Sequence, residues 1–332
     1  MKKFIKALFI SMLIPVMLTA CGGGNDTAEN DVEVQEETAV EETAAESSES
    51  AEFPMTVTDR DGTEVTIEKE PETLTVFDYA VLDDLDIMGL NDLKLSIPQL
   101  NVDFFDGKFS NVTEAGSIKE PNFEAINESN PDLAFIAERQ QSIKGEFEEI
   151  VPTLYMGTDY ENYFETAKEN ALAVSKIFGK EDIMQKKVDE LDSKVSEFRD
   201  KTENDERKVL MLMVNDGKIS AYGAGSRFGW IHTDLGLKQA DEQIEVSTHG
   251  MEVNYEYIAK INPDIIFYLD RSKTIGKGDS TDILSTNELV QKTSAGQNNA
   301  VFEVPGPEMY LLGGSLNAIE NVVNDFNEKL FN

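Results

Sequence analysis

From residue 55 onward, apolar and polar positions alternate. MTVTD leads into Arg60-Asp61-Gly62, and TEVTIE follows. A period of two around an Asp-Gly pair predicts a β-hairpin. LTVFD, ending at Asp78, PDLAFI (131–136) and TLYMG (153–157) are short enough and apolar enough to be buried strands. VLDDLDIMGL predicts a helix ending near Gly89, and residues 117–130 read as a loop running into a helix. Strands alternating with helices indicate an α/β fold. The period then changes to that of a helix. Residues 161–178, closed by Gly179, form one helical stretch, and residues 181–202 form another without Gly or Pro. In the second, Ile183, Val188, Leu191 and Val195 give the expected apolar face. At about 1.5 Å per residue it reaches about 30 Å, the width of a small domain. KVLMLMV, a glycine-rich turn, PDIIFYLD and AVFEV then start a second α/β pattern.

The two patterns are copies. NFEAINESNPDLAFIAER (122–139) aligns without a gap to NYEYIAKINPDIIFYLDR (254–271), with eight of eighteen positions identical. Each copy is a short helix, an Asn-Pro-Asp turn and a buried strand, with an arginine at the strand's end. The chain therefore reads as an amino-terminal lobe (53–180), a linking helix (181–202) and a carboxy-terminal lobe (203–332). Ligands of open α/β sheets sit beyond the carboxyl ends of the strands. Two such lobes facing one cleft would point Arg139 and Arg271 into it from opposite sides.

The start of the chain reads as an address. Lys2, Lys3 and Lys6 precede an apolar run too short for a confident membrane span, as in a secretory signal peptide over 1–20. Leu18-Thr19-Ala20-Cys21-Gly22 resembles the lipobox of bacterial lipoproteins, which implies cleavage before Cys21 and lipid on its thiol. Residues 22–52 hold eleven acids, no base and no aromatic, so with Cys21 they make a flexible tether (21–52) rather than a folded unit.

Charge narrows the function. With 29 Lys+Arg against 64 Asp+Glu, the net charge is −35. Such a chain lacks the cations that sequence-independent nucleic-acid binding requires. One cysteine excludes an internal disulfide framework, and two histidines are too few for a multi-histidine metal site. The sequence has no G-x-S-x-G, H-E-x-x-H or G-x-x-x-x-G-K, so neither an enzyme nor a resident cofactor is expected.

With the lipobox, the two lobes, the single linking helix and the strings GSRFGWIH, STHG, LDRS and PEMYLLGGS, residues 53–332 resemble the substrate-binding lipoproteins of bacterial iron–siderophore ABC importers. Within that family they most resemble the members for catecholate siderophores such as petrobactin and enterobactin fragments. The resemblance implies a class III periplasmic-binding-protein fold and a monomer held on the outer side of the cell membrane by lipid. Its expected partners are a ferric catecholate siderophore and an ABC permease. It also implies an arginine triad of Arg139, Arg227 and Arg271. His249 and Tyr310 match positions that complete the iron shell of tetradentate siderophores in some relatives. Relatives dock their permease through one acid on each lobe, here expected to be Glu124 and Glu256. The chemistry agrees: arginine stays charged and offers a planar fork of donors to catecholate oxygens and rings. Haem and cobalamin are the rival ligands within the fold.

Several residues keep more than one reading. His249 could cap the helix that begins at Asn254. Tyr310 could be a core aromatic. His232, in an apolar run, reads as structural. Trp230, the sole tryptophan, could line the cleft or pack behind Arg227. Lys108 is a doubtful contact from the amino-terminal lobe.

Overall fold

A computed structural model describes residues 51–99, 103–278 and 284–332. The expected signal peptide, Cys21 and the tether up to residue 50 lie outside the described residues. Strands β1 (Met55–Thr58) and β2 (Glu64–Ile67) pair antiparallel, Met55 opposite Ile67. Gly62 supplies the φ of 79° that their turn requires.

The amino-terminal lobe runs β3 (Thr73–Val76), α1 (Tyr79–Ile87), β4 (Lys94–Ile97), β5 (Val112–Glu114), α2 (Phe123–Glu128), β6 (Leu133–Ile136), α3 (Lys144–Glu148) and β7 (Thr153–Tyr155). Its sheet is parallel throughout, in the order β5-β4-β3-β6-β7. The order reverses between β3 and β6, so the carboxyl ends of those two strands open the crevice where such sheets bind ligands. Helices α4 (Tyr163–Ile177) and α5 (Glu181–Thr202) follow.

The carboxy-terminal lobe runs β8 (Lys208–Asn215), β9 (Lys218–Tyr222), α6 (Trp230–Thr233), β10 (Lys238–Gln239), β11 (Met251–Val253), α7 (Tyr255–Ile261), β12 (Ile265–Asp270), α8 (Arg271–Thr274), α9 (Glu288–Gln291), α10 (Ser294–Gln297), β13 (Val301–Glu303) and α11 (Leu316–Phe331). Its sheet is mixed, in the order β11-β9-β8-β12-β13, with β10 beside the start of β8. β8, β12 and β13 are parallel, whereas β9 runs antiparallel to both of its neighbours, β8 and β11. The lobes are thus alike in their repeated core but not in their edges.

The repeat has a physical basis. Asn122 and Asn254 cap α2 and α7, their side-chain oxygens accepting from Ala125 N and Tyr257 N. Ile126 and Ile258 are fully buried beneath those helices. Asn130 and Asn262 take the left-handed backbone, with φ of 48° and 51°. Asp132 accepts the Thr73 N–H, and Asp264 accepts the Lys208 N–H, so each acid ties its strand's start to the neighbouring strand. Phe135 and Phe267 are fully buried in the core.

Helix α5 joins the lobes. Its buried stripe is Met184, Val188, Leu191, Val195, Phe198 and Thr202, at alternating spacings of four and three. Ile183, expected on that face, is instead 41% exposed, because the stripe starts one residue later. A single apolar core extends from Leu74 and Phe135 through α1, α4, α5 and α11 to Trp230 and Phe267. Polar ties reinforce this joint. Glu320 on α11 pairs with Lys187 and Lys194 of α5. Buried Asp83 on α1 accepts from Ser315 Oγ at 2.7 Å and from Asn317 N at 3.0 Å.

Candidate functional site

Three local structures bring cations to the cleft. Arg139 lies just beyond the carboxyl end of β6, beside the crossover from β3. Arg271 directly follows β12 and opens α8, whose cap Asp270 accepts the Lys273 N–H. Arg227 rides on the turn 223–229. A side chain at Gly229 would collide with the Gly223 carbonyl oxygen, which is why glycine stands there. Phe228 pins the turn, buried edge-on against Tyr222 at 4.7 Å. Ser226 accepts the Ser247 N–H and so ties in the loop carrying His249.

All three arginines meet at Tyr310. The π-helical turn Pro307–Leu311 presents this residue to them. Arg271 Nε donates to the Tyr310 hydroxyl at 2.7 Å, and Arg271 Nη1 donates to Asn215 Oδ1 at 2.8 Å. The main-chain carbonyl of Tyr310 accepts from Arg227 Nη2 at 2.8 Å and from Arg139 Nη2 at 3.2 Å. The Arg227 guanidinium lies 4.3 Å from the Tyr310 ring centroid, with Arg271 at 5.6 Å and Arg139 at 5.8 Å. Burial pushes the Tyr310 phenol up, but the Arg271 hydrogen bond and the three positive charges outweigh it. The phenol is held below its ordinary value.

Tyr310 and Arg227 stand between two hollows. On the amino-terminal side, Phe77, Glu138, Arg139 and Tyr160 are among the other lining residues. On the carboxy-terminal side is a hollow of about 370 Å³, lined also by Asn215, His249, Arg271 and Lys119. Asp78 lies between Phe77 and Tyr79, both of which line the first hollow, and it caps α1. Burial pushes its carboxyl to about 7. The Glu138 charge adds to the rise, while the Ala80 N–H and the Arg139 charge oppose it.

The remaining sequence expectations are placed as follows. His249 is exposed on the rim, and its carbonyl accepts from the Tyr222 hydroxyl. It does not cap α7, because Asn254 caps that helix itself. His232 Nδ1 donates to the Leu237 carbonyl at 2.8 Å, and burial pushes its ring to about 4, a structural neutral histidine. Trp230 is 3% exposed and stacks on Tyr163 at 5.2 Å, so it packs behind the site rather than lining it. Tyr163 itself lines the first hollow. Lys108 pairs with Asp86 at 2.7 Å and covers the Phe104 ring, and it lines neither hollow. Lys119 is the amino-terminal lysine that reaches the cleft, and the sequence reading missed it. Gly116 (φ 87°) bridges to Pro121 and turns the loop 117–120 toward the cleft, and Gln140 holds it by donating to the Ile118 carbonyl. Glu124 and Glu256 are exposed in the first turns of α2 and α7. Among the described residues, no group of three or more His, Cys, Asp or Glu side chains is arranged to hold a metal ion.

Family models, curated proteins and solved structures each match this chain. A family model described as periplasmic binding protein matches residues 75–308. The petrobactin-binding protein YclQ of Bacillus subtilis is 35% identical over 338 residues, covering 99% of each chain. Its crystal structure superposes with a TM-score of 0.80, covering 84% of this chain and 99% of that one at 36% identity. The ferric-anguibactin-binding protein FatB of Vibrio anguillarum is 30% identical over 74% of this chain and 80% of its own. The crystal structure of the periplasmic catecholate-siderophore binding protein VctP of Vibrio cholerae gives a TM-score of 0.76 at 26% identity, covering 82% and 99% of the two chains.

Proposed function

The chain belongs to the periplasmic binding protein family, and we propose that it captures an anionic ferric catecholate siderophore outside the cytoplasm and delivers it to the permease of an ABC importer. It is a binding protein, not an enzyme, and iron is cargo rather than cofactor. The observation that carries this reading is the convergence of Arg139, Arg227 and Arg271 on one point in a chain of net charge −35. Guanidinium groups suit catecholates because they donate to the oxygens and stack on the rings. Two relatives, the petrobactin-binding protein YclQ and the catecholate-siderophore binding protein VctP, support the same ligand class. Haem and cobalamin are the rival ligands that the titration below separates.

His249 and Tyr310 line one hollow with Arg271. They would complete the iron shell where a siderophore leaves positions open. Phenolate oxygen suits a hard ferric ion, and the metal's charge favours the phenolate. Lipid on Cys21 would hold the protein, as a monomer, at the outer face of the cell membrane. For docking, Glu124 and Glu256 are the repeat's matched acids without a part in capping, core or strand ties. Reversing both charges should abolish uptake and spare siderophore binding; uptake that survives would remove this assignment.

The test of ligand class is a fluorescence titration of residues 53–332 with ferric bis- and tris-catecholates, a ferric hydroxamate, haem and cobalamin. Trp230 reports because it stacks on cleft-lining Tyr163. Tight quenching by catecholates, lost in Arg227→Ala, supports the reading. No catecholate binding refutes it.

A further inference from the structure

None of the three guanidinium groups in the cleft faces solvent alone: Tyr310 engages each of them. Its phenol oxygen takes Arg271, its ring lies under Arg227, and its carbonyl oxygen takes Arg139 and Arg227 together. A phenol carries the same donor-seeking oxygen and the same aromatic face as one edge of a catechol. The cluster is therefore satisfied by a group of the ligand's own chemistry, supplied by the chain.

We infer that Tyr310 is an internal stand-in for the ligand, and that the turn Pro307–Leu311 must withdraw before a catecholate reaches the arginines. This rests on the catecholate reading above for the identity of the displacing ligand, but not for the contact itself. The turn is a discrete unit, with buried Met309 anchoring it in the core and Tyr310 facing the cleft. It is closed by its own bond from Leu312 N to the Pro307 carbonyl. It lies between Gly306, packed tightly on Thr274, and the pair Gly313-Gly314, with Gly314 at φ 87°. The Gly314 N–H donates to buried Tyr163 Oη at 2.9 Å, which fixes the far end. Until displaced, the stand-in keeps the three cations from repelling one another apart and holds them in position. Binding is then an exchange: each arginine contact made to the ligand replaces one made to Tyr310, and affinity reflects only the difference.

The test uses the full chain as wild type, Tyr310→Phe and Tyr310→Ala. The first measurement needs no ligand. Phenylglyoxal modifies accessible arginines, and peptide mapping reads each one. Tyr310→Ala should speed modification of Arg227 and Arg271 severalfold. Tyr310→Phe, which keeps the ring, should speed Arg271 more than Arg227. Unchanged rates at both arginines overturn the inference. The second measurement titrates a hexadentate ferric tris-catecholate, whose iron has no position left for the phenol. Removing one charge-assisted competing bond should tighten binding about tenfold in Tyr310→Ala. Weaker binding in both variants would mean that Tyr310 helps hold the ligand, and it overturns the inference. If no form binds any catecholate while arginine reactivity still rises, the ligand class falls and the stand-in remains.

Discussion

Asp78 offers a prediction whose size follows from one position. The residue lies two positions past β3, a strand that opens the cleft, and is 6% exposed. Its Oδ1 accepts the Ala80 N–H at 2.8 Å, capping α1. Burial lifts its carboxyl from 3.8 to about 7 in the folded chain. The native state thus binds more protons than the unfolded state between those values. Stability is greatest below the unfolded value and falls as pH rises, until the folded value is passed. At roughly 1.4 kcal/mol per pH unit, the whole interval is worth about 4 kcal/mol. Asp78→Asn removes the charge and keeps the cap, since Asn caps as well as Asp. The variant should match wild type at about pH 3 and exceed it by up to about 4 kcal/mol at about pH 8. Urea unfolding at both pH values measures the difference. A difference that is the same at both, or a loss of stability at the higher pH, refutes the reasoning.

Three further predictions follow from other contacts. Arg227→Lys should weaken catecholate binding about tenfold and Arg227→Ala up to about a hundredfold, the range for one charged hydrogen bond, and titration with less than a threefold change would contradict this. Asp83→Ala strips Ser315 and Asn317 of their acceptor at the start of α11, and should cost about 2–4 kcal/mol in thermal or urea unfolding. Because α5 and the shared core join the lobes, ligand should change the radius of gyration by less than about 1 Å out of roughly 19 Å; X-ray scattering showing a large drop would point to a wide hinge instead.

The sequence made the repeated core legible because its identical residues are held by backbone geometry. Asn-Pro-Asp can be read at 130–132 and 262–264 because a left-handed residue, a rigid φ and a strand tie are each tied to one residue type. The arginines were legible for a related reason, since two of them end the repeated strands. What escaped is set by contacts distant in sequence. Lys119 sits in a short turn whose placement depends on Gly116, Pro121 and Gln140, and no periodicity marks it. On one side of the second sheet, β9 and β11 are short and pair antiparallel, so no crossover helix announces them. Trp230 could not be placed from sequence because its stacking partner, Tyr163, precedes the linking helix and is 67 residues away in the chain. The meeting of three arginines on the hydroxyl and carbonyl of Tyr310 is likewise a property of the folded cleft alone.

Gathering three arginines at one point in so acidic a chain also shapes the kinetics of capture. An approaching anion first meets a molecule of net charge −35 and is repelled. Only within about 8 Å, the screening length at physiological salt, do the arginines govern its path. In dilute buffer that length grows to about 30 Å and the repulsion reaches farther out. The association rate should therefore rise with added salt, the reverse of ordinary electrostatic steering, while dissociation from the arginines also quickens. Such a protein would capture its ligand faster in brackish surroundings than in fresh water.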